Sequence, residues 1–119
     1  MRINLLVLTG VSLTVWLVAC RHEPVIPASP LLTFDKDISP IITNTCAQSG
    51  CHDGSGEGGR LVTYNEVRDI VEPGKPYGSK LFQVITKLMG EQAMPPGAPL
   101  SDTQIRFIYT WILQGAVEK

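Results

Sequence analysis

The chain has 119 residues, with 10 basic and 11 acidic side chains and a formal net charge of −1 at pH 7. This length allows one domain, and a charge so close to neutral, with no run of basic residues, argues against nucleic-acid binding. The groups that bear most on its chemistry are three cysteines and two histidines.

Residues 1–19 have the pattern of a bacterial lipoprotein signal peptide. Arg2 precedes an apolar run that is too short to span a bilayer and that ends in Leu17-Val18-Ala19-Cys20. A small-residue cleavage site directly before a cysteine resembles a lipobox, which predicts a lipid on Cys20. We expect an extracytoplasmic protein anchored on the periplasmic face of the inner or outer membrane. The alternatives are a plain secretory signal and an uncleaved membrane anchor.

Residues 20–33 read as a tether between the lipidated cysteine and the domain. Pro24, Pro27 and Pro30 are spaced three apart, a pattern that excludes helix and sheet interiors. Such a segment is expected to run extended over about 40 Å and to hold the domain away from the membrane. His22 lies in this tether and is interpreted as a bystander.

The domain, residues 34–119, opens with a helix that begins near Phe34. Its apolar positions follow helical spacing and share one face. They are Ile38, Ile41, Ile42 and Cys46. Cys46 is therefore expected at the C-terminal end of a helix whose apolar side faces the interior.

The segment Cys46-Ala47-Gln48-Ser49-Gly50-Cys51-His52 carries the strongest chemical signal in the chain. Two cysteines with a histidine directly after the second are typical of covalent haem attachment, in which the thiols form thioethers and the histidine binds the iron. A disulfide between Cys46 and Cys51 fits the same residues. Zinc fits them poorly, because the domain offers no fourth cysteine or histidine.

The next segment, 53–60, contains four glycines. It lacks the lysine and the preceding strand of a phosphate-binding loop, so we interpret it as a flexible wrap that lets the backbone pass close to a bulky planar group.

Three further helices are predicted. Two begin at capping boxes, Thr63–Glu66 and Ser101–Gln104, and end at about Val71 and at Gly115. Between them, a helix capped by Ser79 and stopped by Gly90 has a buried stripe. The stripe consists of Leu81, Phe82, Ile85 and Leu88. No segment alternates with period two, so the domain is predicted to be all-α, with about four short helices and long loops.

A second iron ligand is expected from methionine, because its thioether favours ferrous iron and raises the reduction potential. Met89 falls at the end of an apolar helical stripe and is expected to pack there. Met94 precedes Pro95 and Pro96, which restrict its loop and lower the entropic cost of holding a weak ligand. We therefore favour Met94.

From Phe34 to about Ala116 the chain resembles a small class I-type cytochrome c domain, of the planctomycete type found in bacterial lipoproteins. The resemblance rests on Cys46, Cys51 and His52, on Met94-Pro95-Pro96-Gly97, and on a last helix that closes with Trp111-Ile112-Leu113-Gln114-Gly115-Ala116. It implies one covalent haem c, with the iron bound by His52 and Met94. The departure is the cysteine spacing, because four residues separate the cysteines where the usual motif has two.

The resulting hypothesis is a membrane-tethered monohaem cytochrome that carries single electrons between a donor and an acceptor protein outside the cytoplasm. Two axial ligands leave no position for a substrate, so neither catalysis nor a small-molecule substrate is expected. One alternative is a haem enzyme or sensor in which Met94 leaves the iron open. The other is a haem-free lipoprotein interaction module with a Cys46–Cys51 disulfide.

Overall fold

The computed structural model describes residues 25–28 and 30–119. In these residues every regular element is helical and none is a strand, which agrees with the predicted all-α class. The predictions for residues 1–19, for lipidation of Cys20 and for His22 fall outside the described residues. No helix in the described part of the chain is long and apolar enough to cross a membrane.

Four α-helices and three helical turns follow one another along the described chain. The α-helices are α1 (Ser39–Thr45), α2 (Tyr64–Arg68), α3 (Lys80–Thr86) and α4 (Asp102–Leu113). A π-helical turn (Phe34–Ile38) leads directly into α1, and 3-10 turns cover Pro76–Gly78 and Leu88–Gly90. The number of α-helices agrees with the prediction, and long loops connect them.

The C-terminal segment of the chain holds the start of the first helical turn. The backbone N–H groups of Phe34 and Asp35 donate to the carbonyls of Val117 and Glu118, at 2.9 and 3.0 Å. Trp111 Nε1 donates to the Val117 carbonyl as well, at 2.9 Å. These bonds satisfy N–H groups that the start of a helix leaves without intrahelical partners. The two ends of the domain are thereby joined.

Helix α4 supplies the centre of the core. Ile108, Trp111 and Ile112 are fully buried, and the Phe34 ring lies 6.0 Å from the Trp111 ring, centroid to centroid. Burial of a large apolar side chain contributes about 1.5–3 kcal/mol. Helix α4 is therefore the element against which the π-helical turn Phe34–Ile38 and α3 pack.

The two predicted capping boxes, Thr63–Glu66 and Ser101–Gln104, are both present. In each, the hydroxyl of the first residue accepts the backbone N–H of the fourth, whose side chain accepts the N–H of the first. Helix α2 ends at Arg68, earlier than the predicted Val71. The chain continues to Val71 in a looser turn, with a 3.2 Å bond from the Val71 N–H to the Arg68 carbonyl.

Ser79 lies at the predicted N-cap of α3, but its hydroxyl makes no capping bond. The fully buried hydroxyl donates to the Lys75 carbonyl and accepts the Glu72 N–H, both at 2.9 Å. Ser79 therefore ties down the loop before α3. The predicted capping role is wrong, because nearby loop carbonyls and N–H groups compete for the same hydroxyl.

Helix α3 ends at Thr86, well before Gly90. Lys87 adopts a left-handed conformation with φ of +57°, and a separate 3-10 turn follows. Three members of the predicted stripe, Leu81, Phe82 and Ile85, are buried in α3. The fourth, Leu88, is half-buried in the 3-10 turn, so the predicted helix was one turn too long.

The proline-rich segment before the domain is hydrogen-bonded to the side chain of Gln114, the C-cap residue of α4. Gln114 Nε2 donates to the carbonyls of Pro27 and Pro30, at 2.7 and 2.9 Å, and Gln114 Oε1 accepts the Leu32 N–H at 2.9 Å. Leu32 is only 7% exposed and belongs to the core. Contacts with the domain therefore begin before the predicted start at residue 34, inside the segment assigned to the tether.

Candidate functional site

A cavity of about 690 Å³ is lined by all four residues that the sequence singled out as haem-binding: Cys46, Cys51, His52 and Met94. They come from two parts of the chain that lie on either side of α2 and α3. A cavity of this size is in the range of sites for small ligands and cofactors, about 300–1,000 Å³.

Cys46 caps the C-terminus of α1, where its N–H donates to the Ile42 carbonyl at 2.8 Å. Its side chain is buried, and burial raises the pKa of the thiol above its usual value, although the Thr45 hydroxyl, 3.4 Å from Sγ, opposes this. The thiol is therefore protonated at neutral pH. A protonated thiol is less reactive than a thiolate, which is the nucleophilic form.

Cys51 is exposed, and both cysteines are free thiols. The Cys51 N–H bonds the Gln48 carbonyl at 2.9 Å, and the His52 N–H bonds the Cys46 carbonyl at 3.2 Å. Gly50 adopts a positive φ of +78°, which only glycine adopts at little cost. The four residues between the cysteines thus form a closed bulge, and both cysteines line the same cavity.

His52 is oriented by a second loop. Its Nδ1 is hydrogen-bonded to the Gly59 carbonyl, and its own carbonyl accepts the Leu61 N–H at 2.9 Å. A carbonyl only accepts, so Nδ1 carries the proton and Nε2 keeps a lone pair. Hydrogen bonding of this kind fixes the tautomer and the ring orientation of metal-binding histidines. In a neutral imidazole, Nε2 is then the atom available to a metal.

The glycine-rich loop packs tightly against the cysteine segment. Its predicted close approach to a bulky planar group stays a prediction. A Cβ at Gly58 would lie 2.7 Å from His52 Cε1, and one at Gly56 would lie 2.6 Å from the Cys51 carbonyl oxygen. The loop is also closed by Ser55. Its hydroxyl accepts the Gly50 N–H at 3.0 Å. Two glycines therefore leave the space that His52 and the Cys51 peptide occupy.

The Ser55 hydroxyl and backbone N–H both donate to the Asp53 carboxylate, at 2.7 and 2.9 Å. These bonds hold the pKa of Asp53 below its usual value, with the hydroxyl bond the larger contribution. An ionised Asp53 thus stabilises the turn that follows His52.

Met94 reaches the cavity from a loop that runs beside α3. Its N–H donates to the Val84 carbonyl at 3.1 Å, and Pro95 and Pro96 line the cavity next to it. Nothing is described of the Met89 side chain, so the choice of Met94 over Met89 stays a prediction.

The remaining wall is mostly apolar. It is formed by Leu61, Ile70, Leu81, Val84 and Ile85, together with Pro95 and Pro96. Lys80 and Glu57 are the charged side chains, besides the ionisable Cys and His groups, among the described residues that line it. An apolar chamber with thiols, an imidazole and a thioether at its edge fits a large planar cofactor held by S and N donors.

Comparison with protein-family models, curated proteins and solved structures finds no match for the chain. In the described residues, no group of three or more Cys, His, Asp or Glu side chains is arranged to hold a metal ion directly.

Sequence reasoning missed three residues of this site. Lys80 was assigned no role from the sequence, and the groups of Gly59 and Val84 that contribute are backbone carbonyls, which have no side-chain signature. The glycine-rich composition of the loop indicated a close approach of its backbone to another group. It did not indicate that Gly58 would contact His52.

Proposed function

We propose that this chain is a membrane-tethered, monohaem c-type cytochrome that carries single electrons between extracytoplasmic redox proteins. The observation that supports it most is the convergence of Cys46, Cys51, His52 and Met94 on one apolar cavity. The fold proposed with this function is cytochrome c-like, with the short helices surrounding the cofactor.

Each residue has a distinct role in this proposal. Cys46 and Cys51 would hold the haem through thioethers, and His52 Nε2 and the Met94 thioether would bind its iron. When bound, haem supplies one electron of reversible redox chemistry at its iron. The chain's own contribution is to orient the ligand, because the Gly59 carbonyl accepts the hydrogen bond from His52 Nδ1.

The protein environment favours electron transfer over catalysis. The apolar wall restricts water near the cofactor, and the Val84 carbonyl restrains the backbone of Met94, so the ligand set rearranges little between oxidation states. With His52 and Met94 both bound to the iron, no position would be left for a substrate. We therefore propose a carrier without enzymatic activity of its own.

The first test is a visible spectrum of the protein after export in a host with haem-attachment machinery. Covalent haem stays with the polypeptide after denaturing extraction and gives a low-spin spectrum with a methionine–iron band. Met94→Ala removes that band, whereas the control Met89→Ala keeps it. A colourless protein with a Cys46–Cys51 disulfide refutes the haem proposal and supports the interaction module.

Carbon monoxide addition to the reduced protein separates the carrier from a haem enzyme or sensor. A bound methionine resists displacement, so the wild-type spectrum is expected to stay unchanged while that of Met94→Ala shifts. A shift in the wild type at the same carbon monoxide concentration supports an open iron site and contradicts the proposed carrier.

We also propose that Cys20 is lipidated and anchors the protein to a bacterial membrane on its periplasmic face. Growth with labelled fatty acid is expected to label the wild-type protein and to leave Cys20→Ala unlabelled. Equal labelling of both proteins contradicts the anchor at this residue.

A further inference from the structure

Lys80 occupies a distinct place in the cavity wall. It is the first residue of α3, and among the described residues that line the cavity it is the one cationic side chain apart from any protonated His52. Glu57, the carboxylate in the same wall, comes from the glycine-rich loop. Among the charged side chains of the described cavity wall, Lys80 is therefore the one suited to pair with an anionic group.

The ammonium group of Lys80 is already paired. Its Nζ lies 2.5 Å from Glu91 Oε2, and the two side chains are 53% and 30% exposed. Glu91 is not part of the cavity wall, so the pair joins a cavity residue to a carboxylate outside the cavity. An exposed pair of this kind contributes little to stability and exchanges partners readily.

Resting on the function proposed above, we propose that Lys80 binds the carboxylate groups of the porphyrin, with Glu91 as the competing carboxylate that holds Lys80 in place until then. Haem carries two propionates on one edge and is apolar elsewhere. A carboxylate enclosed by apolar walls without a cationic partner is costly, so the propionate edge is favoured where Lys80 lies. Lys80 thus sets the orientation of the cofactor.

A purely structural role for the same ion pair makes a different prediction. Glu91 lies three residues before Met94, whose N–H bonds the Val84 carbonyl of α3, so the pair also holds the methionine loop against that helix. If this were its whole role, removing either partner would have the same effect. If Lys80 binds propionate, removing Glu91 frees the lysine, and the two variants act in opposite directions.

The test uses the full chain in detergent, produced without haem attachment. The chain is titrated with haemin and, separately, with haemin dimethyl ester, which lacks the carboxylate charges. Protein-free micelles provide the background. Lys80→Gln is expected to weaken haemin binding about two- to five-fold, the range of a partly exposed charge pair, and Glu91→Gln to strengthen it by a similar factor. Ester binding is expected to be the same in all variants. Lys75→Gln is the matched control, because it breaks the exposed Lys75–Glu72 pair away from the cavity.

A second measurement is the midpoint reduction potential of the haem-loaded full chain. Loss of the positive charge in Lys80→Gln lowers it, and loss of the competing carboxylate in Glu91→Gln raises it. The proposal is overturned if Lys80→Gln and Glu91→Gln change haemin affinity in the same direction, or if Lys80→Gln leaves haemin affinity unchanged. It is also overturned if Lys80→Gln weakens binding of haemin dimethyl ester as much as binding of haemin. If neither porphyrin binds the wild type and export yields no covalent haem, the cytochrome proposal fails, and this inference fails with it.

Discussion

The contact between Gly58 and His52 leads to the most direct prediction. A Cβ added at Gly58 would lie 2.7 Å from Cε1 and 2.8 Å from Nδ1 of the imidazole. Non-bonded carbon atoms rest about 3.5–4.0 Å apart, so the ring has to move by about 1 Å. This movement strains the hydrogen bond from Nδ1 to the Gly59 carbonyl. Gly58→Ala therefore disturbs the orientation of the proposed iron ligand.

Two contributions set the magnitude. Overpacking costs about 1–3 kcal/mol, the lower end applying here because a ring at the end of a side chain yields more easily than backbone. A weakened hydrogen bond adds about 0.5–1 kcal/mol. We expect Gly58→Ala to lower the free energy of unfolding by about 1.5–2 kcal/mol in all.

The neighbouring glycine provides the control. A Cβ at Gly59 meets no atom within 4 Å, and neither glycine has a positive φ, so Gly59→Ala changes the free energy of unfolding by less than about 0.5 kcal/mol. Both variants are compared by urea unfolding followed by circular dichroism, and the low-spin spectrum of the haem-loaded protein reports on the iron ligand. Equal unfolding free energies and unchanged spectra for the two variants would refute the reasoning.

Two further predictions concern the scaffold. Gln114→Ala removes three hydrogen bonds to the proline-rich segment. We therefore expect faster protease cleavage within residues 25–32. An unchanged cleavage rate contradicts a stabilising role for the contacts of Gln114 with this segment. The pKa of Glu66 lies below its usual value, mainly because its carboxylate accepts the N–H groups of Thr63 and Val62. A lowered folded-state pKa stabilises the fold above the ordinary glutamate value, and that contribution is lost as the pH falls through the lowered pKa. Glu66→Gln keeps a capping side chain without the charge. Between about pH 5 and pH 2, the free energy of unfolding of this variant should therefore fall less steeply than that of the wild type. Equal slopes would contradict this.

Local signals explain the predictions that the structure confirms. The capping boxes that open α2 and α4 consist of residues three apart that bond each other, so the sequence contains both partners. The absence of period-two alternation indicated an all-α chain, and the described residues contain helices without strands. The placement of Cys46 at the end of a helix followed from the spacing of its isoleucines.

The errors have a different physical origin. Ser79 bonds loop groups that approach it only in the folded chain, and the early end of α3 depends on a left-handed lysine, a conformation with no sequence signature outside glycine and asparagine. The Gln114 contacts join residues more than 80 positions apart. Tertiary hydrogen bonds of this kind leave no local pattern, so neither these contacts nor the Gly59 carbonyl at His52 was predictable.

The contacts of Gln114 with Pro27 and Pro30 bear on how the proposed anchor would confine the domain. If the chain is free only from Cys20 to Pro27, its contour length is at most about 25 Å, against about 45 Å for a tether that ends at Thr33. A lipid anchor diffuses in the plane of the membrane, so the tether sets only the height of the layer that the domain explores. That height falls about two-fold, and the local concentration towards a partner in the same membrane rises correspondingly. Gln114 would thus favour membrane-bound redox partners over freely diffusing ones.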